Sequence, residues 1–268
     1  MSRALTASII VGVMTGVLGS FMILRGLSLM GDAISHSVIP GVAISQLLGI
    51  PHIIGASLFG FLASVAIGFI SEKSTIKKDA ILGMVFSSFF ALGIILISRV
   101  RTMTDLHHIL FGNVLTVSQS DINQIITISI VLFIFIILFY KELLITSFDE
   151  TMAQVYGLNT RLLHYSFLII LTLVIVTSLQ IVGAVLVIAM IITPAATSYL
   201  IANKLKTMIF ISATISAIST LLGMFLSFTF NFSAGASIVL VLATVFTITL
   251  LFVPKRGIIL NKLGAKTK

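Results

Sequence analysis

Apolar runs near twenty residues long recur along the whole chain, and no other feature limits its fold so strongly. A helix needs roughly 20 apolar residues to cross a bilayer, and only helices and closed barrels can satisfy their backbone polar groups there. A barrel would show short alternating segments, whereas these runs are long and continuous. Composition points the same way: 58% of residues are hydrophobic and 9% charged, against about 25% charged in a soluble domain. The chain reads as an all-α polytopic membrane protein, a single unit over 1–268. Nine spans are expected, near 5–24, 30–50, 53–71, 80–98, 122–140, 162–180, 182–202, 208–229 and 235–253. Eight is the alternative count. The second and seventh are the least regular, because Pro40 and Pro194 interrupt them, and a membrane helix tolerates proline as a kink or break.

Orientation follows from the basic residues. The loops after odd-numbered spans, with the C-terminal tail, carry thirteen Lys and Arg, and the other set carries three: Arg3, Arg99 and Arg101. The positive-inside rule then sets the N-terminus outside and the C-terminus in the cytoplasm. The charge of +8 is thus a topology signal, not a nucleic-acid footprint. Cysteine is absent, which excludes disulfides and thiolate metal sites. The N-terminus resembles a signal peptide but lacks a small-residue cleavage site, so a retained first span is expected.

Two connections exceed a turn. Residues 99–121 form an extracellular loop in this scheme, apolar enough around "HHILFGNVL" to re-enter the membrane. Residues 141–161 are cytoplasmic and contain "SFDETMAQVYGL". Ser147 and Glu150 have capping-box spacing. Asp149 and Glu150 suit the positive end of a helix, and Gly157 suits its C-terminal stop. A short helix over 148–156 is expected, with Phe148, Met152 and Val155 on one side. It either lies passively on the membrane or docks a cytoplasmic partner. No P-loop motif occurs, so ATP-driven transport would need a separate ATPase.

Polar residues inside the spans are the functional candidates. Asp32 and His36 stand four apart in "GLSLMGDAISHSVIPGVAIS", on one helix face. One reading is a structural Asp–His hydrogen bond. The other is a transit site for a divalent cation, since oxygen and imidazole donors suit Mn, Fe(II) or Zn. Two ligands are too few for a structural site, and a second copy of the chain around a shared path would bring four. His107 and His108 in the outer loop are weaker candidates for meeting an incoming ion. His164 reads as a span anchor, His52 as an external turn residue and Gln180 as packing polarity. Gly12 and Gly16 form a helix-packing pair.

Four stretches in order carry a resemblance: 19–45, "TDLHHILFGNVL", "LLITSFDETMAQVYGL" and "VGAVLVIAMIITPAATSYL". The chain resembles the ABC-3 family, the permease subunits of bacterial metal-ion ABC importers, and looks most like their Gram-positive manganese members. The resemblance implies a type II-like importer permease fold, a transport subunit and not an enzyme, and no cofactor of its own. It implies a homodimer, two cytoplasmic ABC ATPase subunits and an extracellular metal-binding lipoprotein. It assigns Asp32 and His36 to the metal path, with His108 as a weaker candidate, and Phe148, Asp149, Glu150 and Gly157 to coupling within 147–158. Mn(II) is the expected cargo, with Zn(II) and Fe(II) as alternatives. An ion-coupled secondary transporter remains the competing class, although no internal repeat of the expected kind is evident.

Overall fold

The computed structural model describes residues 2–98 and 117–253. Its helices are α1 (Ser2–Leu24), α2 (Met30–Ser37), α3 (Ile39–Leu48), α4 (His52–Lys73), α5 (Lys78–Ile97), α6 (Gln119–Leu138), α7 (Tyr140–Phe148), α8 (Glu150–Val155), α9 (Thr160–Val182), α10 (Ala184–Ile201), α11 (Leu205–Phe230) and α12 (Ala234–Phe252). Eight of them are long and apolar enough to cross a membrane. Their outward faces carry exposed apolar side chains such as Leu62, Ile95, Ile137, Phe225 and Leu240, which need lipid, not water.

The segment expected as one span at 30–50 is instead two short helices meeting at Val38. Pro40 lacks an N–H, so the turn beneath it loses a hydrogen bond. The break still carries the chain across. Arg25 lines a cavity with Glu72, Lys78, Glu150 and His164, whereas Pro51 lines one at the opposite end with Asp121 and Gln180. The eighteen residues of α2 and α3 supply about 27 Å at 1.5 Å per residue. Among the described residues the crossings then number nine, eight made by single helices and one by this broken pair. That count leaves Ser2 and the end of α12 at opposite ends of the bundle.

Proline acts differently at 194. The expected break in "ITPAATSY" does not occur, and α10 runs continuously through Pro194. Packing against α1, α9, α11 and α12 holds that helix on course despite the missing backbone donor.

The core is centred on α1, which packs mainly against α11 and α10. The small-residue pair works as expected. The Ser212 hydroxyl donates to the Gly16 carbonyl at 2.7 Å, and a Cβ on Gly16 would meet Ser212 backbone at 2.9 Å. Close helix approach of this kind supplies van der Waals contact where no hydrophobic drive acts between spans. A second crossing holds α3 on α4, where Gly41 and Gly55 touch through their backbones and the Gly55 N–H donates to Ser45 Oγ at 3.2 Å.

Candidate functional site

From Gly31 to Ala43 every residue is buried except Asp32 and His36. The acid and the imidazole are thus the two side chains through which an otherwise sealed helix pair opens. His36 Nε2 lies 3.3 Å from Asp32 Oδ1, and the side chains are 20% and 44% exposed. Their i,i+4 spacing on α2 produces the contact. Depth is read from α5, whose Phe86 and Phe90 flank the imidazole edge-on, with centroids 5.2 and 5.6 Å away. Those positions lie about 12 and 18 Å along α5 from its start at Lys78, near the middle of a hydrocarbon core about 30 Å thick. The two phenyl rings stack on each other. The imidazole Nδ1 is buried without a hydrogen-bond partner. Among the described residues no third His, Asp or Glu joins the pair.

The end of the bundle near α8 is built differently. Asp149 caps α8, its carboxylate accepting the Met152 N–H at 2.9 Å, and Gly157 stops it with φ +77°. The helix is therefore Glu150–Val155, shorter than expected, and Ser147 is not its cap. Ser147 belongs to α7, where its hydroxyl donates to the Leu143 carbonyl at 2.6 Å. The same hydroxyl accepts from Arg25 Nε at 3.1 Å, and Arg25 Nη2 donates to Thr146 Oγ1 at 2.7 Å. The Arg25 guanidinium also lies 4.7 Å from the centre of the Phe167 ring on α9. Burial lowers the Arg25 pKa to about 10, with Glu150 opposing the shift, so it stays charged near neutral pH. Phe148, Met152, Val155 and Tyr156 are exposed. On so short a helix they form an apolar knob pointing out of the bundle.

A cavity of about 880 Å³ lies behind that knob, lined by Arg25, Glu72, Lys78, Glu150, Arg161 and His164 among others. His164 is thus a wall of this cavity, near the start of α9. His52 begins α4 and shares the opposite cavity with Gln180. His107 and His108, with the loop around them, lie outside the described residues. Two groups escaped the sequence reading. Phe86 and Phe90 share a helix face by spacing, which was visible, but nothing local tied them to His36. Arg25 counts in the sequence only as one of the thirteen basic residues that set the orientation.

The model of the ABC 3 transport family matches residues 1–253. The chain belongs to the ABC 3 transport family. The manganese transport system membrane protein MntC of Listeria monocytogenes is 53% identical over 262 residues, covering 98% of this chain and 94% of that protein. The manganese import system permease protein ScaB of Streptococcus gordonii is 50% identical, with the same coverage. Among solved structures, PsaBC from Streptococcus pneumoniae in complex with Fab matches with TM-score 0.88 and 48% identity, covering 99% of this chain and 94% of that one. As an ABC-3 permease this protein is a membrane transport subunit, not an enzyme, and ATP is handled by a partner subunit. That sets aside the ion-coupled secondary transporter. The expected pair of identical copies is also corrected: the solved assembly is designated by two different components, B and C, not by two copies of one chain.

Proposed function

We propose that this permease carries divalent transition-metal ions into the cell, Mn(II) first, with Asp32 and His36 as its transit site. The observation that carries this reading is the 3.3 Å pair, the one opening in a sealed, mid-depth helix. Asp32 offsets cation charge where water is scarce, and His36 adds a borderline nitrogen donor that Mn(II), Fe(II) and Zn(II) all accept. Two donors leave most coordination positions to others, and weak binding suits an ion that must leave again. Manganese is favoured because MntC and ScaB, each at least 50% identical, are named for it. His108 is a weaker contributor on the outer side.

The α8 knob is the handle for the ATPase. Phe148 supplies apolar contact, Asp149 and Glu150 supply the cap and charge, and Gly157 ends the helix so that the knob stays short. In this reading the α8 end faces the cytoplasm, the N-terminus is outside and the C-terminus inside. Single cysteines in this cysteine-free chain test the orientation: a probe that cannot cross membranes should label position 50 and not position 75. Reversing charge at Asp149 and Glu150 together should abolish ATPase pull-down or uncouple hydrolysis, and unchanged assembly with unchanged transport removes the assignment. The cargo is tested by radiolabelled Mn uptake in cells with and without the gene, competed by Fe(II) and Zn(II). Mn uptake that does not depend on the gene, beside radiolabelled Zn uptake that does, would transfer the proposal to zinc.

A further inference from the structure

Arg25 joins the two halves of this machine. It sits at the bend between α1 and α2, and the bend has little slack. The Arg25 N–H donates to the Phe21 carbonyl, Gly26 to Ile23, Leu27 to Met22 and Met30 to Leu27, at 2.9 to 3.2 Å. Ala33 then donates to Leu29, in the turn that holds Asp32. On its other side the guanidinium grips α7 twice, through Thr146 and Ser147, residues more than 120 positions away. Those two residues immediately precede Phe148 and the α8 cap. The α7–α8 joint is itself short: the Asp149 N–H donates to the Ile145 carbonyl at 2.9 Å while Asp149 caps α8. Phe167 supports the guanidinium from α9. By contrast, the Gln154 amide of α8 reaches only Thr160, six residues along, at 3.3 Å.

A guanidinium is suited to such a tie. Its donors lie in a rigid planar fork, so two hydrogen bonds fix direction as well as distance. Charge-assisted bonds of this kind are the stronger class.

We propose that Arg25 is a positioning residue that transmits displacement of α8 to α2, coupling ATPase motion to the Asp32–His36 opening. The inference rests on the reading of α8 as the ATPase handle. A pulled or tilted α8 carries Thr146 and Ser147 with it. Arg25 follows, and the bend passes the shift to a helix that begins five residues later at Met30. A purely structural staple would behave otherwise: its loss would lower the amount of assembled complex and leave transport per ATP unchanged.

The test uses the whole transporter, permease with its ATPase, in proteoliposomes, measuring ATP hydrolysis and Mn uptake on the same sample. Arg25→Met keeps an unbranched apolar stem and removes the fork. ATPase pull-down should persist while Mn moved per ATP falls about tenfold, the scale of losing a hydrogen bond to a charged group. Thr146→Val with Ser147→Ala removes the grip from the other side. It should lower the same ratio, and adding it to Arg25→Met should produce no further loss. An unchanged ratio in Arg25→Met overturns the proposal, as does additivity. Should Arg25→Met fail to assemble, the Thr146→Val, Ser147→Ala pair decides: an unchanged ratio there overturns the proposal equally. Loss of pull-down on reversing Asp149 and Glu150 is a separate outcome, which tests the handle and not the tie.

Discussion

Two polar centres in this permease are satisfied to very different degrees. Around Arg25 two guanidinium N–H groups donate to hydroxyls, an aromatic ring supports the plane, and one of those hydroxyls donates in turn to a carbonyl. Around His36 the arrangement is incomplete. The imidazole has one carboxylate neighbour and a buried nitrogen with no partner. An unpaired buried nitrogen costs free energy, and a charge at mid-membrane costs more. A centre that holds helices to one another, or passes motion between them, is fastened, as Arg25 is. On the proposed reading, a site that must accept and release a cation is left short of ligands, as Asp32 and His36 are. In the proposed function the first centre belongs to the framework and the second to the cargo path.

If the contrast holds, substitutions should divide by what they damage. The largest effect is expected in the fastened framework. Gly19→Leu would drive a side chain into the Ile191 backbone carbonyl on α10, and overpacking of this kind costs at least about 1–3 kcal/mol. Little folded protein should survive detergent extraction and size-exclusion chromatography. A normal yield would show that the α1–α10 crossing is looser than the geometry states.

Next comes the incomplete site. Asp32→Asn and His36→Ala should leave yield and ATPase binding intact while uptake per assembled complex falls by at least about tenfold, the lower end of the effect seen for groups that merely support metal ligands. Poor yield with normal uptake per complex would make the pair structural and erase the contrast. Smaller effects belong to the rings behind His36. Phe90→Leu removes one edge contact of a type worth about 0.5–1.5 kcal/mol. Uptake should drop less than tenfold, with assembly unchanged. A loss as deep as that of His36→Ala would mean that the ring itself lines the path.

Much of this was legible in the sequence because it is local. The apolar runs, the Asp32–His36 spacing and the stop at Gly157 depend on residues within a turn or two of each other. The errors came from contacts that sequence spacing cannot express. Ser147 had the pattern of a cap, but a partner 122 residues away holds it in α7, and Asp149 takes over the capping role. Pro40 and Pro194 look alike in sequence, yet one coincides with a break and the other lies inside a continuous helix. Packing from neighbouring helices decides between them. The pairing of identical copies was an assembly question that the single chain could not answer. Phe86 and Phe90 advertised a shared face without saying what it meets.

The central claim is that His36 nitrogen enters the coordination sphere of the transported ion. Mn(II) is paramagnetic, so pulsed electron paramagnetic resonance on the assembled transporter loaded with Mn(II) reads this directly. The account predicts nitrogen modulation on the Mn(II) signal, changed in pattern by ¹⁵N-histidine labelling and absent in His36→Ala. Modulation that persists unchanged in His36→Ala, or a bound Mn(II) with no nitrogen coupling at all, would contradict it.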